Sequence, residues 1–219
     1  MTQRGLARTA GVLYLIVAVC GGHSQLFVRE KLVVHGDAAA TAAHIRESAA
    51  LWRLGMISDL VNITCFLAVA LVLYALLSPV SRWLATSALV CNAVSVAVMA
   101  ANLLNHYAAL VAATRGFDDR LAGFYMDVFA QGYLIGQIFF GLWLLPLGLV
   151  VYRSGMMPRA LGVLAIIGSA GYVGDLLRTP ASPVLLALAA IGEISLVLWL
   201  LAGRIRTVTP AATRAAVAA

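Results

Sequence analysis

Six apolar segments, each long enough to cross a lipid bilayer as a helix, constrain this chain more than any other feature of its sequence. A helical span of the hydrocarbon core requires about 20 predominantly apolar residues. Because lipid offers no hydrogen-bonding partner to an open strand edge, such segments must be helical. The sequence therefore predicts six transmembrane helices, at residues 10–28, 54–77, 83–110, 128–152, 158–177 and 182–203.

The composition is that of a membrane protein and leaves little room for a second domain. Of the 219 residues, 63% are hydrophobic and only 11% are charged, whereas a soluble domain is nearer half apolar and a quarter charged. We therefore predict an all-α polytopic membrane protein that forms a single domain over residues 1–219. The net charge of +6 does not indicate nucleic-acid binding, because the arginines lie singly at the ends of apolar segments.

The first predicted loop contains a short amphipathic helix. Asp37 follows Gly36 and precedes the stretch AAATAAHIRESAALW, so its side chain is expected to cap the helix N-terminus. Ile45, Ala49 and Trp52 share one face of such a helix. We expect the helix to lie on the membrane or over the bundle, with Trp52 as its anchor. A plain helical connector is the alternative.

The distribution of charge favours a cytoplasmic location for both termini. With six spans the termini lie on one side of the membrane, and the basic residues are divided almost evenly between the two sides. The predicted loops on the side of the termini are short and basic and contain no acidic residue, which favours the cytoplasm. The acidic residues of the predicted loops all lie on the other side: Glu30, Asp37, Glu47, Asp118, Asp119 and Asp127.

Several polar side chains fall inside the predicted membrane segments, in the half of the membrane away from the termini. In the third segment a stripe of residues recurs every three or four positions: Asn92, Ser95, Met99, Asn102 and His106. A charge in mid-membrane costs roughly 2.5 kcal/mol or more, so such groups usually face the bundle or a wet cavity. We therefore predict an outward-facing polar cavity that binds a small ligand. Its predicted ligand-binding residues are His23, Asp59, Asn62, Asn102, His106, Gln131, Asp175 and Glu193.

Glu193 lies closest to the predicted membrane centre, with about ten helical residues on either side, and we expect it to be protonated or hydrogen-bonded. Whether the protein is an enzyme stays open at this point. If it is, Glu193, Asp59 and Asp175 are the candidate catalytic residues for a lipid-soluble substrate. Glu193 would then be the general acid, and one aspartate the base or cation stabiliser. Structural hydrogen bonding between helices explains these carboxylates equally well.

The sequence identifies no cofactor and no metal site. His23 and His106 could bind haem or a metal from facing helices, but their spacing carries no metal signature. The intramembrane acids also fit a proton-coupled transporter, although no convincing inverted repeat accompanies them. The expected partners are the lipid bilayer and a small-molecule ligand, and small-residue helix faces leave a homo-oligomer open.

Five stretches of the chain, taken in order, are similar to a known family. They are ARTAGVLYLI, GDAAATAAHI, LWRLGMISDL, IGQIFFGLWLLPLGLVVYRSGMMPRALGVLAIIGSAGYVGDLL and IGEISLVLWLLAG. Together they resemble the bacterial integral membrane family catalogued as domain of unknown function 4386. The resemblance implies a helical protein of the bacterial inner membrane and no particular activity. Its signature positions are Asp37, Thr41, Arg53, Asp59, Arg153, Pro158, Asp175 and Glu193, and His44 stands where the family pattern has asparagine.

Overall fold

The computed structural model of the chain describes residues 1–176 and 183–207, and within them it forms helices and no β-strand. The all-α prediction is therefore confirmed. The helices are α1 (Gln3–Leu32), α2 (Ala38–Glu47), α3 (Ala49–Leu77), α4 (Arg82–Thr114), α5 (Asp119–Ser154), α6 (Arg159–Leu176) and α7 (Pro183–Ala202).

Within the described residues, four helices are long and apolar enough to cross a membrane. They are α1, α3, α4 and α5, with lengths of 29 to 36 residues, which exceed the roughly 20 that a span requires. The apolar parts of α6 and α7, Arg159–Gly174 and Ala190–Ala202, are shorter. Each of the six predicted segments thus falls on a helix, and four of those helices are membrane spans by length and composition.

Helix α1 extends beyond the predicted range of 10–28 at both ends and includes Arg29, which the sequence placed in a loop. The segment His23–Arg29 is π-helical, and the N–H of Glu30 donates to the carbonyl of Gln25. In a π-helix each N–H bonds to the carbonyl five residues back. This wide turn is rare in proteins as a whole, but where it occurs it is often at a functional site. The long apolar helix therefore ends in an irregular polar turn.

The predicted helix of the first loop is present as α2. Asp37 caps it, because Asp37 Oδ1 accepts a hydrogen bond from the N–H of Ala40 at 2.9 Å. α2 ends at Glu47, so Trp52 belongs to α3. Trp52 is fully buried and donates from Nε1 to the His106 carbonyl at 3.2 Å. Trp52 therefore does not anchor the loop helix to the membrane; its ring packs in a protein core, which agrees with the other expectation, a position over the bundle.

An ion pair holds α2 against the start of α5. Arg46 donates from Nη1 and Nη2 to the two carboxylate oxygens of Asp119, at 2.6 and 3.1 Å. It also donates to the carbonyl of Ala113 at the end of α4, at 3.1 Å. The hydrogen bond to Asp119 raises the pKa of Arg46. Two parallel N–H···O bonds fix the position of both side chains.

The contacts divide the described residues into two compact units. Unit A comprises Met1–Leu15, Phe66–Ser95 and the described residues from Gln137 onward, and unit B comprises Ile16–Cys65 and Val96–Gly136. Helices α1, α3, α4 and α5 each contribute residues to both units. The apolar core of unit B is formed by Val28, Leu32, Ala42, Ile45, Trp52, Leu103, Ala109, Leu110, Ala112, Ala113, Ala122, Met126 and Phe129.

The helices of unit A approach one another at glycines. A Cβ atom at Gly11 would lie 2.5 Å from the backbone nitrogen of Leu201, so α1 and α7 are in backbone contact there. Gly148 and Gly162 face each other across α5 and α6, and a Cβ on either would lie 2.7 Å or less from the other's carbonyl oxygen. Small residues allow this approach, which is a common mode of helix packing in membranes.

Candidate functional site

A buried ion pair joins α1 to α3 in unit B. Arg29 Nη1 donates to Asp59 Oδ2 at 2.6 Å, and the two side chains are only 9% and 12% exposed. The same nitrogen donates to Ser24 Oγ at 2.7 Å, and Arg29 Nε donates to Gln25 Oε1 at 2.9 Å. The guanidinium also lies over the ring of Phe129, with Cζ 5.3 Å from the ring centroid. The carboxylate of Asp59 is thus compensated by a cation that is itself held by polar groups of the π-helical turn.

His106 lies on the other side of Asp59, on α4. Its side chain is fully buried, and its Nδ1 is 3.6 Å from Asp59 Oδ2, the oxygen that Arg29 also contacts. Neither ring nitrogen has a hydrogen-bond partner among the described residues. The ring packs edge-on against Trp52 and at a tilt against Phe129, with centroid distances of 4.3 and 5.3 Å. Asp59 therefore lies between a cation that it binds and an imidazole held just beyond hydrogen-bonding distance.

A cavity of about 400 Å³ adjoins the ion pair. This volume falls in the range of roughly 300–1,000 Å³ that is usual for small-molecule sites. One wall comes from the end of α1 and the residues that follow it, and the other comes from α5. The lining residues are Gln25, Arg29, Glu30, Val33, His35, Met126, Asp127, Phe129, Ala130, Tyr133 and Leu134.

Three charged side chains of this wall keep hydrogen-bonding capacity for a ligand. The hydrogen bonds of Arg29 use Nε and Nη1, which leaves Nη2 without a partner in the described part of the chain. The carboxylates of Glu30 and Asp127 are exposed and form no ion pair or hydrogen bond within residues 1–176 and 183–207. The wall therefore offers both a donor and acceptors, beside an apolar and aromatic surface.

A second cavity, of about 240 Å³, shares Val33, His35, Met126 and Asp127 with the first. Its wall includes the turn between α1 and α2. Thr41 shapes this turn, because its hydroxyl accepts from the N–H of Val34 at 2.9 Å and lies 3.2 Å from the Val34 carbonyl. Asp37 caps the helix that follows. The two signature positions of this loop therefore have structural roles that build the cavity wall.

Glu193 has its partners in unit A. The hydroxyl of Tyr172 donates to Oε1 at 2.8 Å, and that of Tyr14 donates to Oε2 at 3.2 Å. Both tyrosines belong to a cluster of rings with centroids 4.9 to 6.4 Å apart. Its members are Tyr14, Phe66, Phe140, Trp143 and Tyr172. The expectation of hydrogen bonding is confirmed, and the donors are neutral hydroxyl groups.

His23 and Asn62, also predicted to bind a ligand, make hydrogen bonds within unit B. His23 Nδ1 lies 3.0 Å from Ser58 Oγ, and Asn62 Nδ2 donates to the carbonyl of Val17 at 2.7 Å. Both contacts join α1 to α3. Within the described residues no group of three or more His, Cys, Asp or Glu side chains could hold a metal ion.

The remaining predicted residues occupy three different environments. Asn102 is buried and donates from Nδ2 to the carbonyl of Phe129 at 2.8 Å, which links α4 to α5. Gln131 is exposed on α5. Asp175 belongs to α6, but its side chain lies outside the described residues. Of the predicted set, the structure brings Asp59 and His106 together.

Arg29, Tyr14 and Tyr172 are the residues that sequence reasoning missed. Arg29 was assigned to a loop, although Ser24 and Gln25 precede it by five and four residues, the spacing of one wide helical turn. Tyr14 and Tyr172 carry no local signal, because they reach Glu193 from two other helices. A buried carboxylate such as Asp59 requires a partner, and the basic residues at the ends of neighbouring predicted helices are the candidates that the sequence offers.

The fold is that of a helical protein in which four helices of the described residues are apolar enough to cross a membrane, Asp59 is ion-paired and Glu193 is hydrogen-bonded. The model of the family described as Domain of unknown function (DUF4386) matches residues 9–203, so the chain belongs to this family. A protein of Archaeoglobus fulgidus (strain ATCC 49558 / DSM 4304 / JCM 9628 / NBRC 100126 / VC-16) described as "Uncharacterized protein" is 44% identical over 68 residues. That match covers 30% of this chain and 42% of the relative's length. No solved structure is significantly similar to the chain.

Proposed function

We propose that the protein binds a small amphiphilic molecule in the unit B cavity beside Arg29. The observation that carries this proposal is a buried arginine that lines a cavity of about 400 Å³ and is held there by Asp59, Ser24 and Gln25. Three neighbouring side chains fix the guanidinium, so it is pre-organised for a ligand and loses little conformational freedom on binding. The mixture of apolar and polar lining is that of a small-molecule site.

A variant that fills the cavity tests this function. Ala130 lines the cavity and is exposed, whereas Ala101 is exposed on α4 away from it. Ala130→Trp should remove the ligand, and the matched variant Ala101→Trp should keep it. The measurement is native mass spectrometry of protein released from membranes, with the ligand seen as an added mass. Wild-type protein without an added mass, or equal loss in both variants, would contradict the proposal.

The proposed topology has six membrane spans, with α6 and α7 crossing in addition to the four longer helices. Both termini then lie on the cytoplasmic side of a bacterial inner membrane, and the cavity opens outward. The acid-free basic loops on the side of the termini support this orientation. Reporter fusions should place the N-terminus in the cytoplasm and a tag inserted at Gly36 outside. A tag at Gly36 that reports the cytoplasm would reverse the orientation.

A second candidate is a membrane enzyme that acts on a lipid-soluble substrate through Glu193. Both carboxylate oxygens accept hydrogen bonds from tyrosine hydroxyls, an arrangement that stabilises an ionised carboxylate. Glu193 would then exchange a proton with the substrate, with the two tyrosine hydroxyls holding its carboxyl group in place. In cells expressing Glu193→Gln, a lipid product formed with the wild type should be absent. Identical lipid extracts from the two strains would contradict this candidate.

A further inference from the structure

We propose that the ligand of the unit B cavity is a zwitterionic lipid that carries an ammonium group and an anionic phosphate. This inference rests on the proposed function, because it names the chemistry of the molecule bound there. The ammonium would lie beside Glu30 and Asp127, and the phosphate beside Arg29. The unpaired charges of the wall and the apolar face of α5 that continues from them fit such a molecule.

The carboxylates of Glu30 and Asp127 favour a cationic group. Both line the cavity, and neither has an ion-pair partner in the described residues. The charge of Arg29 is already compensated by Asp59 at 2.6 Å, so these two carboxylates leave the wall with an excess of negative charge. A ligand that carries only negative charge is repelled by this field, and an ammonium group is attracted.

The guanidinium nitrogen of Arg29 that forms no hydrogen bond among the described residues favours an anionic group in the same ligand. The hydrogen bonds of Arg29 use Nε and Nη1, so Nη2 has no partner among the described residues. Gln25 and Arg29 both line the cavity. A guanidinium is well suited to phosphate oxygens because its N–H groups form a planar fork. A purely cationic ligand would leave this donor unused. A zwitterion satisfies the donor and both carboxylates together.

The α5 wall changes from polar to apolar along one helical face. Asp127, Ala130 and Leu134 follow one another at three and four residues, so they share a face, and all three line the cavity. Leu134 is 38% exposed and the neighbouring Tyr133 is 44% exposed. A water-soluble zwitterion would leave this apolar strip uncovered, whereas the acyl chains of a lipid would cover it. The apolar strip therefore favours a lipid over a water-soluble zwitterion.

The test is a titration of delipidated, purified protein with short-chain probes below their micelle concentrations. The probes are dihexanoyl phosphatidylethanolamine, dihexanoyl phosphatidylglycerol and glycerophosphoethanolamine, which is the zwitterionic phosphodiester head group without acyl chains, and isothermal calorimetry measures the dissociation constants. We expect phosphatidylethanolamine to bind about ten-fold or more tightly than either other probe, a difference typical of one well-placed charge contact. The double variant Glu30→Gln/Asp127→Asn should abolish the preference over phosphatidylglycerol. The matched double variant Glu47→Gln/Asp118→Asn removes two exposed carboxylates that do not line the cavity and should retain it.

The other outcomes separate the two proposals. If no probe binds, this inference fails, whereas the proposed function fails only if native mass spectrometry also shows no added mass that Ala130→Trp removes. If phosphatidylglycerol binds as tightly as phosphatidylethanolamine, the zwitterion is wrong while a ligand site remains. If glycerophosphoethanolamine binds as tightly as the lipid, the ligand is a soluble zwitterion and the lipid is wrong. A preference over phosphatidylglycerol that survives Glu30→Gln/Asp127→Asn would overturn the assigned residues.

Discussion

The two units stabilise an acidic side chain inside apolar helices in different ways. In unit B, Asp59 is paired with one cation, Arg29, at 2.6 Å. In unit A, Glu193 accepts from the neutral hydroxyls of Tyr14 and Tyr172. An ion pair fails when either member is removed, because the other charge is left bare. Two neutral donors divide the stabilisation, so the loss of one leaves the other in place.

The units also differ in how their helices touch. In unit A, Gly11 faces the backbone of Leu201, which cannot move aside without shifting α7. In unit B, a Cβ on Gly132 would meet the carboxamide of Asn102, and one on Gly136 would meet the side chain of Met99. Side chains can change rotamer and backbones cannot. Gly11 is therefore expected to tolerate less change than Gly132 or Gly136.

The largest expected effect comes from breaking the ion pair. Arg29→Met should lower the free energy of unfolding by about 3–5 kcal/mol, because it leaves the Asp59 carboxylate buried without a cation. The double variant Arg29→Met/Asp59→Leu should recover most of this loss. Equilibrium unfolding in mixed micelles measures both, with Arg53→Met, an exposed arginine of α3, as the control. A loss of under about 1 kcal/mol for Arg29→Met would mean that the pair is solvated.

An intermediate effect is expected from the backbone contact of unit A. Gly11→Ala should destabilise the protein by about 1–3 kcal/mol, the usual cost of overpacking. Gly22→Ala, on the same helix within unit B, meets no atom within 4 Å and should be neutral or slightly stabilising, since alanine favours a helix by about 0.5–1 kcal/mol over glycine. Thermal unfolding midpoints compare the two. Equal shifts would show that the backbone contact at Gly11 does not limit substitution there.

The smallest expected effect comes from a single tyrosine. Tyr172→Phe should lower the unfolding free energy by about 1 kcal/mol, the net value of one hydrogen bond, because Tyr14 still donates to Glu193. The double variant Tyr14→Phe/Tyr172→Phe should cost more than the sum of the single variants, since it removes the last donor. The same unfolding assay measures the two single variants and the double variant. Simple additivity would show that the two hydroxyls act independently.

Much of the fold could be predicted from the sequence, since long apolar segments have few alternatives. The stripe of α4 was predicted from its spacing, and Asn92, Ser95, Asn102 and His106 are all buried. Asp37 was predicted as a cap because a short acceptor before a helical stretch has a known role. These successes depend on local periodicity, which acts within a single element.

The site depended on features that periodicity does not contain. A charged residue after an apolar run reads as a loop, so Arg29 was placed outside α1 although the helix continues to Leu32. The hydroxyl partners of Glu193 come from α1 and α6, and their convergence is a matter of tertiary packing. Asp59 and His106 were both predicted to line the site, but the cation that sets their arrangement was not. A single sequence therefore predicts the ends of helices and the side-chain contacts between helices less well than it predicts the helices themselves.

The π-helical turn of α1 has a consequence for the rotational phase of the helix. Each α-helical residue turns the chain by about 100°, and a π turn accommodates an additional residue. Converting this segment to regular α-helix without deleting a residue would swing Arg29 away from Asp59 by about that angle. Every side chain of the site would still be present, yet the guanidinium and the carboxylate would no longer face each other. The pairing thus depends on the backbone conformation of α1 as much as on the identity of its residues.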